Sequence, residues 1–206
     1  MGRPLPPPEV AEAVEGIFLP AHDLAAWVNE TFIAEDGDLV NAEHSHLEAA
    51  TIGFLWTNVA NTRQMRRVLG QCERGQPQGS MGKWAKARAE QQVIAWFGDV
   101  PDFIITIDAT HAATCSDIEF CALIDHELYH AGQELDAFGS PKFRQDGRPA
   151  FTMRGHDVEE FIGVVRRYGV VSPEIEALVS AAKGRPEIGM ASISQACGTC
   201  MALKAA

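Results

Sequence analysis

No run of about 18 apolar residues occurs in this chain of 206, so no segment has the length of a helix that crosses a bilayer. The start, Met1-Gly2-Arg3-Pro4-Leu5-Pro6-Pro7-Pro8, lacks the apolar core of a secretory signal. Pro6 stands where N-myristoylation of Gly2 would need Ser or Thr. The expected location is therefore the cytoplasm, that of the host cell if a phage encodes the chain. Cysteine is sparse and odd in number, five in all, which excludes a disulfide framework and suits a reducing compartment. Positive charge is missing from Pro4 to Thr62, where Glu9, Glu12, Glu15, Asp23, Glu30, Glu35, Asp36 and Asp38 accumulate. Arg63, Arg66, Arg67, Arg74, Lys83, Lys86 and Arg88 then follow in close order. The net charge of −11 argues against general nucleic-acid affinity, although the 63–88 stretch is a local basic patch. No internal repeat is present.

What is there fits one domain with appendages, since 46% of residues are hydrophobic and the length supports a proper core. We expect a Pro-rich N-terminal tail over 1–8, one domain over 9–184 and a loose C-terminal tail over 185–206. Helical patterns cover about 9–15, 22–34 and 43–50, with a turn at Glu35-Asp36-Gly37-Asp38. Thr51 to Val59 and Asp102 to Asp108 read as strands. The glycines and proline of 70–82 predict a flexible loop. Over Trp84 to Phe97 the Ala, Lys, Arg, Glu and Gln content favours helix. Lys142 to Met153 predicts a hairpin around Asp146-Gly147, and Ser172-Pro173-Glu174 begins a helix that reaches about Lys183. This order predicts an α+β fold, a small mixed or antiparallel sheet packed on helices.

The chemistry concentrates in Asp125-His126-Glu127-Leu128-Tyr129-His130, a His-Glu-x-x-His pattern. Residues four apart share a helix face, so His126 and His130 would offer two imidazoles to one metal ion. Glu127 lies beside them as a base for a water that the metal activates. Ser116 and Glu119 form a capping-box signature for a helix over about 116–134, with Ile118, Cys121, Ala122, Ile124 and Leu128 as its apolar positions. A catalytic zinc site needs a third protein ligand. His156 is the leading candidate, at the start of a second helix predicted over about 156–168, where Asp157 and Glu160 make another capping box. Glu160 is the competing ligand. Asp125, Asp136 and Asp157 are candidate acceptors for the ligands' other ring N–H groups. Tyr129 and Tyr168 are candidate oxyanion donors, with core packing the simpler role for each.

Ala122 to His130 followed by Gly155 to Phe161 resembles the putative phage metallopeptidase family, and more distantly the SprT-like and other small zincins. Ile52-Gly53-Phe54-Leu55-Trp56 and Asp102-Phe103-Ile104-Ile105 fit the same pattern, so the resemblance covers about residues 50–170. It implies a zincin fold, phage or prophage origin, and Zn2+ at His126, His130 and His156 with Glu127 as base. For Trp84 to Phe97 it implies strands, against the local propensity. No substrate follows from it. Zincins commonly border the cleft with an edge strand to which a peptide can add, and Phe103 to Ile107 is the candidate strand near the site.

The function expected is zinc-dependent hydrolysis of peptide or protein substrates, with no membrane partner. The alternative is an inactive, zinc-stapled binding module, which would have a closed four-ligand site with Glu160 or a cysteine in fourth place. Peptide deformylases share His-Glu-x-x-His, but their cysteine and Gly-rich strand motifs are missing. A nucleic-acid-associated role would rest on the 63–88 stretch. Cys197-Gly198-Thr199-Cys200 is a single CxxC whose simplest reading is two thiols in a mobile tail.

Overall fold

The computed structural model describes residues 2–63, 65–79, 82–158, 162, 165–166, 169, 172–191, 197 and 199. The architecture is α+β, built on a mixed four-stranded sheet. Strands β1 (Phe18–Pro20), β2 (Ile52–Thr57), β5 (Gly70–Arg74) and β6 (Phe103–Asp108) lie in the order β1-β2-β6-β5. β2 and β6 run parallel, with Phe54 opposite Ile105, whereas both outer strands run antiparallel to their neighbours. A two-stranded ribbon, β3 (Thr62–Arg63) and β4 (Arg66–Arg67), leads into β5.

The alternation of side chains along β2 and β6 divides the core. Phe54, Trp56, Phe103, Ile105 and Ile107 face one layer of helices, α2 (His22–Val28) and α5 (Asp117–His130). Leu55 and Ile104 face the other side, where Val93 of α3 (Lys83–Phe97) packs. Burial on both faces explains why β2 and β6 read as nearly continuous apolar runs. Gly53 belongs to this packing, because a Cβ there would lie 2.6 Å from the Phe97 ring. Two short helices, α1 (Pro8–Ala11) and α4 (Ala109–Ala112), pack on each other and against β2 and β6. The Pro-rich start is extended, and Arg3 ties it to α5 through Asp117 and the carbonyls of Ala112 and Cys115.

Several expectations meet a different outcome. Residues 70–74 are a strand, not part of a flexible loop, and β5 is the last strand in the order of the four-stranded sheet. Its side chains alternate between a buried Gly70/Cys72 face and the more polar Gln71, Glu73 and Arg74, so apolar patterning alone did not mark it. Phe103 to Ile107 is an inner strand between β2 and β5. Residues 84–97 are helical, so local propensity prevails there over the family-based expectation. Helix α5 stops at His130, and its buried stripe is Phe120, Leu123, Ile124, Glu127 and Leu128. Ile118 is exposed instead.

Candidate metal centre

Helix α5 starts where the sequence places it. Ser116 Oγ accepts from the Glu119 N–H, and Glu119 returns a bond to the Ser116 N–H at 3.0 Å. This capping box fixes the register of the buried stripe. Glu127 falls within that stripe and is fully buried, whereas His126 sits half-buried beside it.

The helix ends directly after His130, and the chain turns into β7 (Ala131–Gln133), which pairs with β8 (Phe151–Met153). Beyond these strands the hairpin continues through a Phe143–Pro149 bridge to Gly147, whose φ of 83° suits the turn predicted there. The pairing sets Ala131 opposite Met153, so the residues after β8 return to the end of α5. The Arg154 N–H donates to the His130 carbonyl at 3.0 Å. Gly132 permits this approach, because a Cβ there would meet Arg154 Cβ at 3.0 Å.

The result is a convergence of three imidazoles. His126 Nε2 lies 3.3 Å from His130 Nε2 and 3.5 Å from His156 Nε2. His130 Nδ1 is 2.7 Å from the Arg154 carbonyl oxygen, which can only accept. Nδ1 therefore carries the ring proton and Nε2 presents a lone pair inward. Three ring nitrogens this close, one of them fixed as an acceptor, are suited to a shared cation. Four ligands about 2.0–2.1 Å from a tetrahedral ion lie roughly 3.4 Å apart, which the observed spacings match. The residues present thus fit a divalent metal.

Glu127 approaches the same point from the buried side. Its Oε2 accepts from the Cys72 N–H of β5 at 2.8 Å, a donor it shares with Thr199 Oγ1. Its Oε1 is buried and has no hydrogen-bond partner among the described residues. Burial pushes the Glu127 carboxyl up to about 8; nearby Cys197 adds to the rise, while His126 and His130 oppose it. Gly70 lets β5 and α5 come this close, since a Cβ would lie 2.9 Å from Glu127 Oε1 and 3.0 Å from Leu123 Cδ1.

The other predicted residues divide. Tyr129 accepts from Asn41 Nδ2 at 2.9 Å and lines a cavity of about 180 Å³ with His126, His130, Arg154, His156 and Asp157. Asp157 accepts from Arg154 at 2.7 Å. Asp125 Oδ1 lies 2.7 Å from His44 Nε2, and Asp136 closes the turn between Leu135 and Pro141 by accepting from the Phe138 and Ser140 N–H groups. Glu160 and Tyr168 lie outside the described residues, as does most of the helix predicted over 156–168; Ile162, Val165 and Arg166 are helical. A larger hollow of about 440 Å³ lies between β5 and α3 and contains none of the imidazoles.

Sequence reasoning missed the supports. The 3-10 helix Ala42–Ala49 clasps the end of α5 through His44 to Asp125 and His46 to the Ala131 carbonyl, each at 2.7 Å. His44 is buried, and its proximity to α5 had no local signal. Cys197, set aside as a tail thiol, is buried with Sγ 3.3 Å from His130 Nε2. The family described as Putative phage metallopeptidase matches residues 25–183 of the chain. No curated protein and no solved structure matches it.

Proposed function

The chain belongs to the Putative phage metallopeptidase family, and from that premise we propose that it is a zinc-dependent metallopeptidase with a zincin-like domain, acting on a peptide or protein substrate. The observation that carries this reading is the convergence of the His126, His130 and His156 Nε2 atoms beside a buried Glu127 carboxyl. Three neutral imidazoles favour zinc among commonly available divalent ions. His126, His130 and His156 would hold it. Zinc bound there would polarise the substrate carbonyl and make water acidic enough to attack near neutral pH.

The protein's own groups supply the proton transfers. Glu127 takes the proton of the attacking water and delivers it to the leaving amide nitrogen. The bond from the Cys72 N–H holds Oε2 and leaves Oε1 as the proton-accepting atom. Burial holds this carboxyl at about 8 in the metal-free chain, and a bound dication beside it would lower that value and favour the carboxylate that accepts the proton. Arg154 fixes His130 through its carbonyl, and His44 with Asn41 steadies the last turns of α5. The outer edge of β5, where Cys197 bridges Gly70 and Thr199 bonds both backbone groups of Cys72, is the surface to which a substrate strand would add once those contacts are released.

A second reading has a specific observation in its favour. Cys197 beside His130 would make the site a closed four-ligand staple in an inactive binding module. Incubating the zinc-loaded chain with an unfolded protein separates the two. Peptidase action creates new α-amino termini, stopped by a chelator and restored by zinc. A fully zinc-loaded chain that creates none would overturn the peptidase reading.

A further inference from the structure

Arg74, the last residue of β5, carries a charge that no carboxylate pairs among the described residues. Its guanidinium carbon lies 5.0 Å over the ring of Phe103, the residue opposite it in the β5–β6 ladder. Nη1 is shielded from solvent and has no hydrogen-bond partner among the described residues. The two carboxylates whose charge reaches it are engaged elsewhere. Asp102 accepts from Arg148 at 3.0 Å and from the Thr51 N–H at 2.9 Å, and Glu134 accepts from Lys142 at 2.6 Å. Burial holds Arg74 below its ordinary range, and the like charge of Arg144 adds to this. An arginine stays charged even so, and a half-buried guanidinium without a partner costs stability. Groups held against that cost mark functional sites more than packing.

The same residue lines the hollow of about 440 Å³ between β5 and α3, whose apolar wall is Leu55, Val93, Trp96, Ile104 and Met153. The hollow has this volume with Thr199 in place beside Cys72. Glu73, the other charged residue at the hollow among those described, alternates to the opposite face of β5 and lies 3.4 Å from Gln71 Nε2. An apolar wall with one unpaired fork of N–H donors suits a carboxylate carried on an apolar group, because guanidinium and carboxylate form parallel hydrogen bonds. Arg74 is also two residues from Cys72, whose N–H bonds Glu127 Oε2. That separation is roughly 6.6 Å, about two residues of extended peptide.

We propose that Arg74 and this hollow bind the C-terminal residue of a peptide, the guanidinium taking the chain-end carboxylate and the hollow an apolar last side chain. The inference rests on the metallopeptidase reading only in the choice of a peptide as the ligand. Arg74 then determines which chain ends are held near Glu127 and takes no part in the proton transfers.

The test is fluorescence anisotropy of a labelled pentapeptide ending in Phe, titrated with the full zinc-loaded chain carrying Glu127→Gln so that turnover does not intervene. The free acid should bind about tenfold or more tighter than the same peptide with a C-terminal amide, the scale of a charge-assisted pair. Adding Arg74→Met should abolish that preference while zinc content and the unfolding midpoint are kept, since the Met stem still covers Phe103. Equal affinity for acid and amide, or a preference that survives Arg74→Met, would overturn the inference. Ala89→Trp narrows the hollow from α3 and supplies a second approach. It should weaken the Phe-ended acid several-fold and leave a Gly-ended acid unchanged; no effect on the Phe-ended acid would overturn the role of the hollow. An amidated peptide with Asp as its fourth residue that binds as tightly as the free acid would overturn the chain-end assignment in favour of an acidic side chain. Hydrolysis of unfolded protein by the chain with Glu127 intact is a separate readout. New α-amino termini without the acid preference would overturn this inference alone, and the preference without new termini would overturn the peptidase reading alone.

Discussion

Helices α3 and α5 cover opposite faces of one sheet and use their residues differently. Among its 15 residues, α3 buries only Val93, and Trp84 near its start is largely exposed. Helix α5 buries six, and two of them, Glu127 and His130, are polar. A carboxyl in the middle of an apolar stripe costs stability unless it is neutral or compensated. Glu127 has one backbone donor on Oε2 and none on Oε1 among the described residues. Thus α3 is a cover whose sequence follows helix propensity, whereas α5 carries groups that packing alone would not select.

The contrast can be broken most strongly at Glu127. Glu127→Gln should retain zinc while peptide hydrolysis falls by about 10²–10⁴-fold, the usual scale for a lost general base. Hydrolysis at the wild-type rate would place the base elsewhere. The next effect is structural on both faces but reaches the site from only one of them. Gly70→Ala puts a methyl against Glu127 and Leu123, so it should cost about 1–3 kcal/mol by denaturant unfolding and reduce hydrolysis as well. Gly53→Ala forces a methyl into the Phe97 ring and should cost a similar amount, about 1–3 kcal/mol, with zinc content unchanged. If Gly53→Ala also emptied the metal site, the two faces would not be separable.

A smaller effect concerns the metal-free protein. The Glu127 carboxyl is raised from 4.5 to about 8 in the folded chain. Between those values the folded state holds a proton that the unfolded state has released. Stability of the metal-free form should therefore fall as pH rises from about 4.5 to about 8. Glu127→Gln should remove that component, and unfolding midpoints across this window measure it. Equal slopes for the two proteins would mean that burial does not govern this group.

The sequence made local features legible. The capping box at Ser116 and Glu119 and the four-residue spacing of His126 and His130 each lie within one helix, so residue order determines their geometry. His156 was legible as a candidate, yet its arrival depends on the β7–β8 pairing, a non-local event. β5 was hidden because glycine marks a loop in most chains, whereas Gly70 permits a strand to approach Glu127. His44 and Cys197 carried no signal of proximity to α5, since their contacts join residues far apart in the chain. Local propensity correctly indicated helix for α3, where packing demands little.

The central claim is that three histidines brought together at the end of α5 hold one metal ion. Elemental analysis of wild type and His156→Ala, purified side by side, tests it most directly. The account predicts about one zinc per wild-type chain and a large loss in the variant. Wild type that carries no metal and takes up none on addition of zinc would contradict it.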